Sequence, residues 1–229
     1  GTANRYLAKI ARQVLVGFPG ALPGAVMVGN PVRSHFATQT PPAQRYAQRT
    51  GALRVLVVGG SLGASFLNHL VPEAMALIPF EKQPLLVHQT GADHIHHVQI
   101  AYEALNVIAD PVSFIDDMAD AMATVDLVIC RAGAMTVAEI AAVGVAALFV
   151  PLPHAIDDHQ TANARYLSDC DAALLKPQSE LTPEWLAQWL QNTNREQLMQ
   201  MAVHAQEHAQ LEATEKIANT CIRVAKGNS

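Results

Sequence analysis

From Leu53 to Leu175 the chain alternates short runs rich in β-branched and other apolar residues with longer stretches at helical spacing. A parallel sheet covered by helices on both faces is the arrangement that accommodates this alternation. Strands are expected at residues 54–58, 85–88, 112–113, 127–130, 146–150 and 172–175, with helices at 64–78, 95–105, 118–123, 136–143 and 159–167. Beyond Pro177 the strand signals stop, and residues 182–190, 195–209 and 211–224 read as three successive helices, an all-α tail. Upstream, residues 4–12 place Tyr6, Leu7 and Ile10 opposite Arg5, Lys9 and Arg12, the pattern of a short amphipathic helix. Two short apolar runs follow, at residues 14–16 and 25–28, separated by Pro19, Gly20, Pro23 and Gly24. Residues 30–50, with Pro41-Pro42, read as a connecting segment holding at most one weak helix.

Composition narrows the function classes. Half of the 229 residues are hydrophobic, enough for a sizeable core, and disorder is excluded. Mean hydropathy is +0.15, yet a charge, Gly or Pro breaks every apolar run before the roughly 18 residues a spanning helix requires. A formal net charge of −5, with 15 scattered basic residues, argues against a nucleic-acid partner. Cys130, Cys170 and Cys221 are odd in number and far apart, so no disulfide framework is expected, in keeping with a cytoplasmic setting. The chain begins Gly1-Thr2-Ala3-Asn4 without an initiator Met, as a fragment would.

In an open parallel sheet the ligand lies off the carboxyl ends of the strands, so the chemistry is sought in the loops that follow them. The first, Gly59-Gly60-Ser61-Leu62-Gly63-Ala64, suits either a phosphate cradle or a tight turn without a ligand. Its spacing departs from G-x-G-x-x-G, and no carboxylate ends the next strand, which disfavours NAD. The second, Arg131-Ala132-Gly133-Ala134-Met135-Thr136, opens a helix whose first amides attract anions. Glu139 follows Thr136 by three residues. Spacing alone leaves two readings open, a capping box that spends the carboxylate on the helix or a ligand for ribose hydroxyls.

The third loop runs from Pro151 to Asn163 and brings Gln160 and Asn163 onto one helical face, an arrangement suited to a polyol. His154, Asp157, Asp158 and His159 admit a metal reading, against helix capping by Asp157 or Asp158; nothing elsewhere in the sequence completes a second shell. His94, His96 and His97 read as a solvated face, and Asp116 or Asp117 as the cap of the next helix.

Five segments in order, residues 29–33, 57–64, 112–118, 131–140 and 158–164, resemble the carboxyl-terminal half of the MurG family. This is the bacterial N-acetylglucosaminyltransferase family of peptidoglycan lipid intermediates. The resemblance runs from about Gly1 to Leu175. It implies one half of a two-domain GT-B glycosyltransferase, a Rossmann-like α/β domain with a helical tail. Residues 1–30 would be the end of an amino-terminal domain and its linker, and residues 31–229 the donor-binding domain, its helical tail beginning near residue 182.

The implied reaction moves N-acetylglucosamine, with inversion, from UDP-N-acetylglucosamine to the 4-hydroxyl of an undecaprenyl-diphosphate muramyl pentapeptide, on the cytoplasmic face of the inner membrane. By the same resemblance Arg33 and Ser61 would contact the donor, and Ile115 would hold uracil through its backbone. Gly133, Ala134, Met135, Thr136, Val137 and Ala138 would wrap the diphosphate, Glu139 would take the ribose hydroxyls, and Gln160 with Asn163 would read the sugar. No metal and no cofactor is implied. The family's proposed base and its acceptor and membrane surfaces belong to the half that does not precede Gly1, so this chain is expected to bind donor without transferring it. Two other readings remain: an enzyme like the UDP-N-acetylglucosamine 2-epimerases, and a metal-dependent hydrolase built on His154, Asp157, Asp158 and His159.

Overall fold

A computed structural model describes residues 2–60, 64–153 and 158–226. Six strands form the central sheet: β3 (Arg54–Val58), β4 (Leu85–Gln89), β5 (Asp110–Val112), β6 (Leu127–Cys130), β7 (Ala146–Phe149) and β8 (Leu174–Leu175). They are all parallel and lie in the order β5-β4-β3-β6-β7-β8. The first strand of the sheet is therefore central, and the chain winds outward first to one side and then to the other. The point of reversal lies between β3 and β6, where Val58 pairs with Cys130. Two further strands, β1 (Leu15–Val16) and β2 (Val26–Met27), pair in parallel as a separate sheet.

Alternation along β3 sorts the core into two layers. Val55 and Val57 pack under α4 (Ser65–Ala76), α5 (Ile95–Ala104), α9 (Pro183–Asn192) and α10 (Arg195–Glu207). Leu56 and Val58 face α6 (Met118–Thr124), α7 (Ala134–Val143) and α8 (His159–Ser168). Every residue of β6 and β7 is buried, as a central parallel strand with both faces covered requires. The doubly wound α/β expectation is thus met. The tail is more than an appendage, since Leu186, Leu190, Leu198 and Ala202 belong to the core.

The remaining helices are α1 (Thr2–Leu7), α2 (Ser34–Ala37), α3 (Pro42–Ala47) and α11 (Ala213–Ala225). The connecting segment holds two short helices where at most one weak helix was expected. Phe36 on α2 and Tyr46 on α3 are nearly fully buried, so packing stabilises turns whose sequence carries little helical signal. Fully buried Asp126 fastens the segment just after α3, and α10, to the sheet: Arg49 lies 3.0 Å and Arg195 3.1 Å from its oxygens, and the Arg54 amide donates at 2.8 Å. Burial alone would raise the Asp126 pKa, but the bonds from Arg195, the Arg54 amide and Arg49 outweigh it and hold the carboxyl below its usual range.

Candidate functional site

The reversal between β3 and β6 places residues 59–60 and 131–133 side by side at the carboxyl ends of their strands, where open α/β sheets bind ligands. Gly60 turns the first loop with φ +77°, a conformation open to glycine. Ser61 lies outside the described residues, as do His154 and Asp157.

At the second loop Gly133 is extended (φ −62°, ψ 146°) and caps α7, which begins at Ala134 rather than at the expected residue 136. Gly133 has no side chain to cap with, and among the described residues no side chain accepts from the amides of Ala134, Met135 and Thr136, which keep the open character of a helix's first turn. The Val137 amide already donates to the Gly133 carbonyl at 3.0 Å, and the Val137 side chain is buried. Ala138 is half-buried one step farther into the helix. Because Gly133 is the cap, Thr136 sits three residues into the helix and cannot form a capping box with Glu139. Glu139 is half-buried; burial raises its pKa and the charge of Arg33 lowers it in part. An acceptor carboxylate thus stands one turn beyond a row of open amides, facing a guanidinium from the connecting segment.

Arg33 is exposed and sits at the cap of α2, its guanidinium 5.1 Å from the Phe36 ring centre. Ile115 lies between β5 and α6, with its side chain packed against the core, which leaves its backbone as the polar surface there. Asp117 is the cap of α6, accepting from the Asp120 amide at 3.0 Å. Asp158 caps α8 with φ +46° but makes no side-chain cap bond.

A cleft of about 560 Å³ opens beside these loops, lined by Ala64, Phe66, Arg131, Leu152, Gln160 and Gln178 among others. Gln160 and Asn163, expected to read a sugar, both also fasten protein. Gln160 Oε1 accepts from the Leu152 amide at 2.9 Å, and Asn163 Nδ2 donates to the Ala132 carbonyl at 3.1 Å. Their partners are backbone groups in the loops flanking the cleft.

Arg131, to which local spacing assigns no role, organises this wall. One guanidinium nitrogen donates to the carbonyls of Val150 (3.0 Å) and Pro151 (3.1 Å), and another to Gln178 Oε1 (2.7 Å). Burial lowers its pKa. The available signal was an arginine directly after a wholly apolar strand at the reversal point. Among the described residues no group of three or more His, Cys, Asp or Glu side chains is placed to hold a metal ion.

Comparison with known proteins is concordant. The glycosyltransferase family 28 C-terminal domain matches residues 54–222. The chain is 60% identical over 226 residues to the UDP-N-acetylglucosamine–N-acetylmuramyl-(pentapeptide) pyrophosphoryl-undecaprenol N-acetylglucosamine transferase of Bordetella pertussis, and 56% identical over 229 residues to that of Ralstonia nicotianae. Each match covers 99% of this chain and 63% of the relative, so the chain spans under two thirds of their length. The crystal structure of Acinetobacter baumannii MurG superposes with a TM-score of 0.86 at 40% identity, covering 96% of this chain and 62% of that one. Anabaena HepE, solved with UDP-glucose, shares the fold at 15% identity and a TM-score of 0.61, covering 96% of this chain and 67% of that one. The described architecture is that of one half of a GT-B glycosyltransferase, and the chain belongs to the glycosyltransferase family 28 C-terminal domain family.

Proposed function

We propose that this chain binds UDP-N-acetylglucosamine for an inverting transferase that delivers N-acetylglucosamine to the 4-hydroxyl of undecaprenyl-diphospho-N-acetylmuramoyl-pentapeptide in peptidoglycan synthesis. The observation that carries this reading is the start of α7 at the reversal point of the sheet, its first amides without a side-chain partner among the described residues, with Glu139 one turn beyond it. The donor's diphosphate rests on the amides of Ala134, Met135 and Thr136, where the helix dipole supplies about half a positive charge. Glu139 accepts from the ribose hydroxyls, Arg33 and the Ile115 backbone bracket the nucleoside, and Ser61 contacts phosphate. The sugar occupies the cleft beside Gln160 and Asn163.

Cleavage of the glycosidic bond leaves negative charge on UDP. Amides already held in place by a helix stabilise that charge without reorganising, which favours the transition state over the bound donor. Arg131 acts indirectly by fastening the loops of the cleft wall. The lipid acceptor, the base and the peripheral contact with the membrane surface are assigned to the remaining part of the enzyme, with residues 1–30 as linker and residues 31–229 as donor domain. The separate pairing of β1 with β2 supports that division. No helix among the described residues is long and apolar enough to cross a membrane.

Titration calorimetry with UDP-N-acetylglucosamine tests the proposal. Saturable heat, competed by UDP, is the expected result, and absence of heat at millimolar donor with the chain demonstrably folded overturns it.

A further inference from the structure

Arg33 and Ile115, which the preceding reading places on either side of the nucleoside, stand on separate segments. Arg33 precedes α2 and Ile115 precedes α6. Two residues beyond each, the segments are joined: His35 Nε2 lies 3.0 Å from Asp117 Oδ2. Both ends of this clasp are themselves held. The other Asp117 oxygen accepts from the Asp120 amide at 3.0 Å, and the His35 carbonyl accepts from Gln39 Nε2 at 3.1 Å and Thr38 Oγ1 at 3.3 Å. Since α2 also packs against α6 and α7, the clasp closes a ring running from the connecting segment, through the loop after β5, to the helix assigned to the diphosphate.

We propose that His35 is a positioning residue for nucleotide binding, its ring holding Asp117 across the gap so that Arg33 and the Ile115 backbone are kept at the spacing of a nucleoside. This rests on the donor-site reading above. The other charged groups on the elements around it are Asp116 and Asp120 at the start of α6, Glu139 on α7 and Arg33 on its own segment. The Asp117 carboxyl is held below its usual range, by the Asp120 amide first and by His35 after it.

The experiment compares the wild-type chain with His35→Ala and His35→Gln, titrating each with UDP-N-acetylglucosamine and recording a thermal melt of each. Glutamine keeps an amide N–H able to donate to Asp117, and alanine removes the donor. Both clasp residues are well exposed, so the expected effect is about two- to fivefold in affinity. His35→Ala should lose that factor with little change in melting temperature, and His35→Gln should recover most of it. Equal affinity of wild type and His35→Ala, or an equal loss in both variants, overturns the positioning role while leaving the donor site standing. Absence of binding in all three chains, each demonstrably folded, overturns the donor site and the positioning role together.

Discussion

Asn163 Nδ2 donates to the carbonyl oxygen of Ala132 at 3.1 Å, so the helix after the third cleft loop is fastened to the loop that leads into α7. A residue expected to read the sugar is thereby tied to the backbone beside the proposed diphosphate site. Asn163→Ala should lower stability by about 1 kcal/mol, the usual worth of one neutral, partly buried hydrogen bond. It should also weaken UDP and UDP-N-acetylglucosamine to similar extents, because the loop before α7 serves both. Calorimetry with the two ligands checks this. A loss confined to the sugar nucleotide would show that Asn163 touches the sugar directly.

Glu139 separates ligand binding from fold stability in a different way. Burial raises its pKa, the folded state therefore holds the proton more tightly than the unfolded state, and ionisation subtracts stability as pH rises through the raised value. Glu139→Gln should accordingly leave the melting temperature at pH 7 unchanged or higher. Hydrogen bonds to a carboxylate are worth roughly 1.5–3 kcal/mol each, so UDP affinity should fall by about tenfold or more. Wild-type affinity should also decline as pH drops into the carboxylate range, with that decline absent in the variant. Unchanged affinity with a lowered melting temperature would return Glu139 to a structural role.

How much of this site could be read from the chain depended on the range of each interaction. The bounds of β3 and β6 match their apolar runs, because a strand buried on both faces leaves an unbroken hydrophobic signature. Spacing puts the start of α7 two residues late: Thr136 has the side chain of a cap, but Gly133 has the extended conformation and takes the position. The Asp126 cluster was invisible because its partners lie 69 to 77 residues away in the chain, beyond any local spacing rule. Arg131 escaped for the same reason, since its meaning lies in Val150, Pro151 and Gln178.

Gly133 offers a test of the diphosphate site that is nearly free of folding effects. Its φ is −62°, and among the described residues an added methyl would meet only Thr136 Oγ1, at 3.5 Å, an ordinary contact. Gly133→Ala should change stability by no more than about 0.5 kcal/mol. The same methyl would stand where a phosphoryl group must approach the amides, so UDP affinity should fall by roughly tenfold. Gly29→Ala is the contrasting control: with φ +88° and an added carbon 2.3 Å from Gln210 Cβ, it should lose about 1–3 kcal/mol of stability. Thermal melts and UDP titrations of both variants decide the matter. Full UDP affinity in Gly133→Ala would move the phosphates elsewhere.

His88 governs behaviour toward acid. It is fully buried on β4, its Nδ1 lies 2.8 Å from the Tyr102 hydroxyl, its Nε2 has no partner among the described residues, and burial pulls its pKa down to about 4. In the unfolded chain the imidazole returns to about 6.5. Between those values the unfolded state binds a proton that the folded state refuses, so stability must rise with pH, by about 1.4 kcal/mol per unit at most for this one group. Summed across the window His88 accounts for about 3 kcal/mol of stability, present at pH 7 and lost progressively toward pH 4. His88→Leu removes the titration while leaving the Tyr102 hydroxyl unpaired, so the variant is expected to be weaker at pH 7. The level is therefore uninformative and the slope carries the test. Urea unfolding at pH 7, 6 and 5 should give the variant a slope shallower than wild type by nearly one proton, whereas parallel lines would mean that His88 is protonated, or accessible to water, in the folded chain.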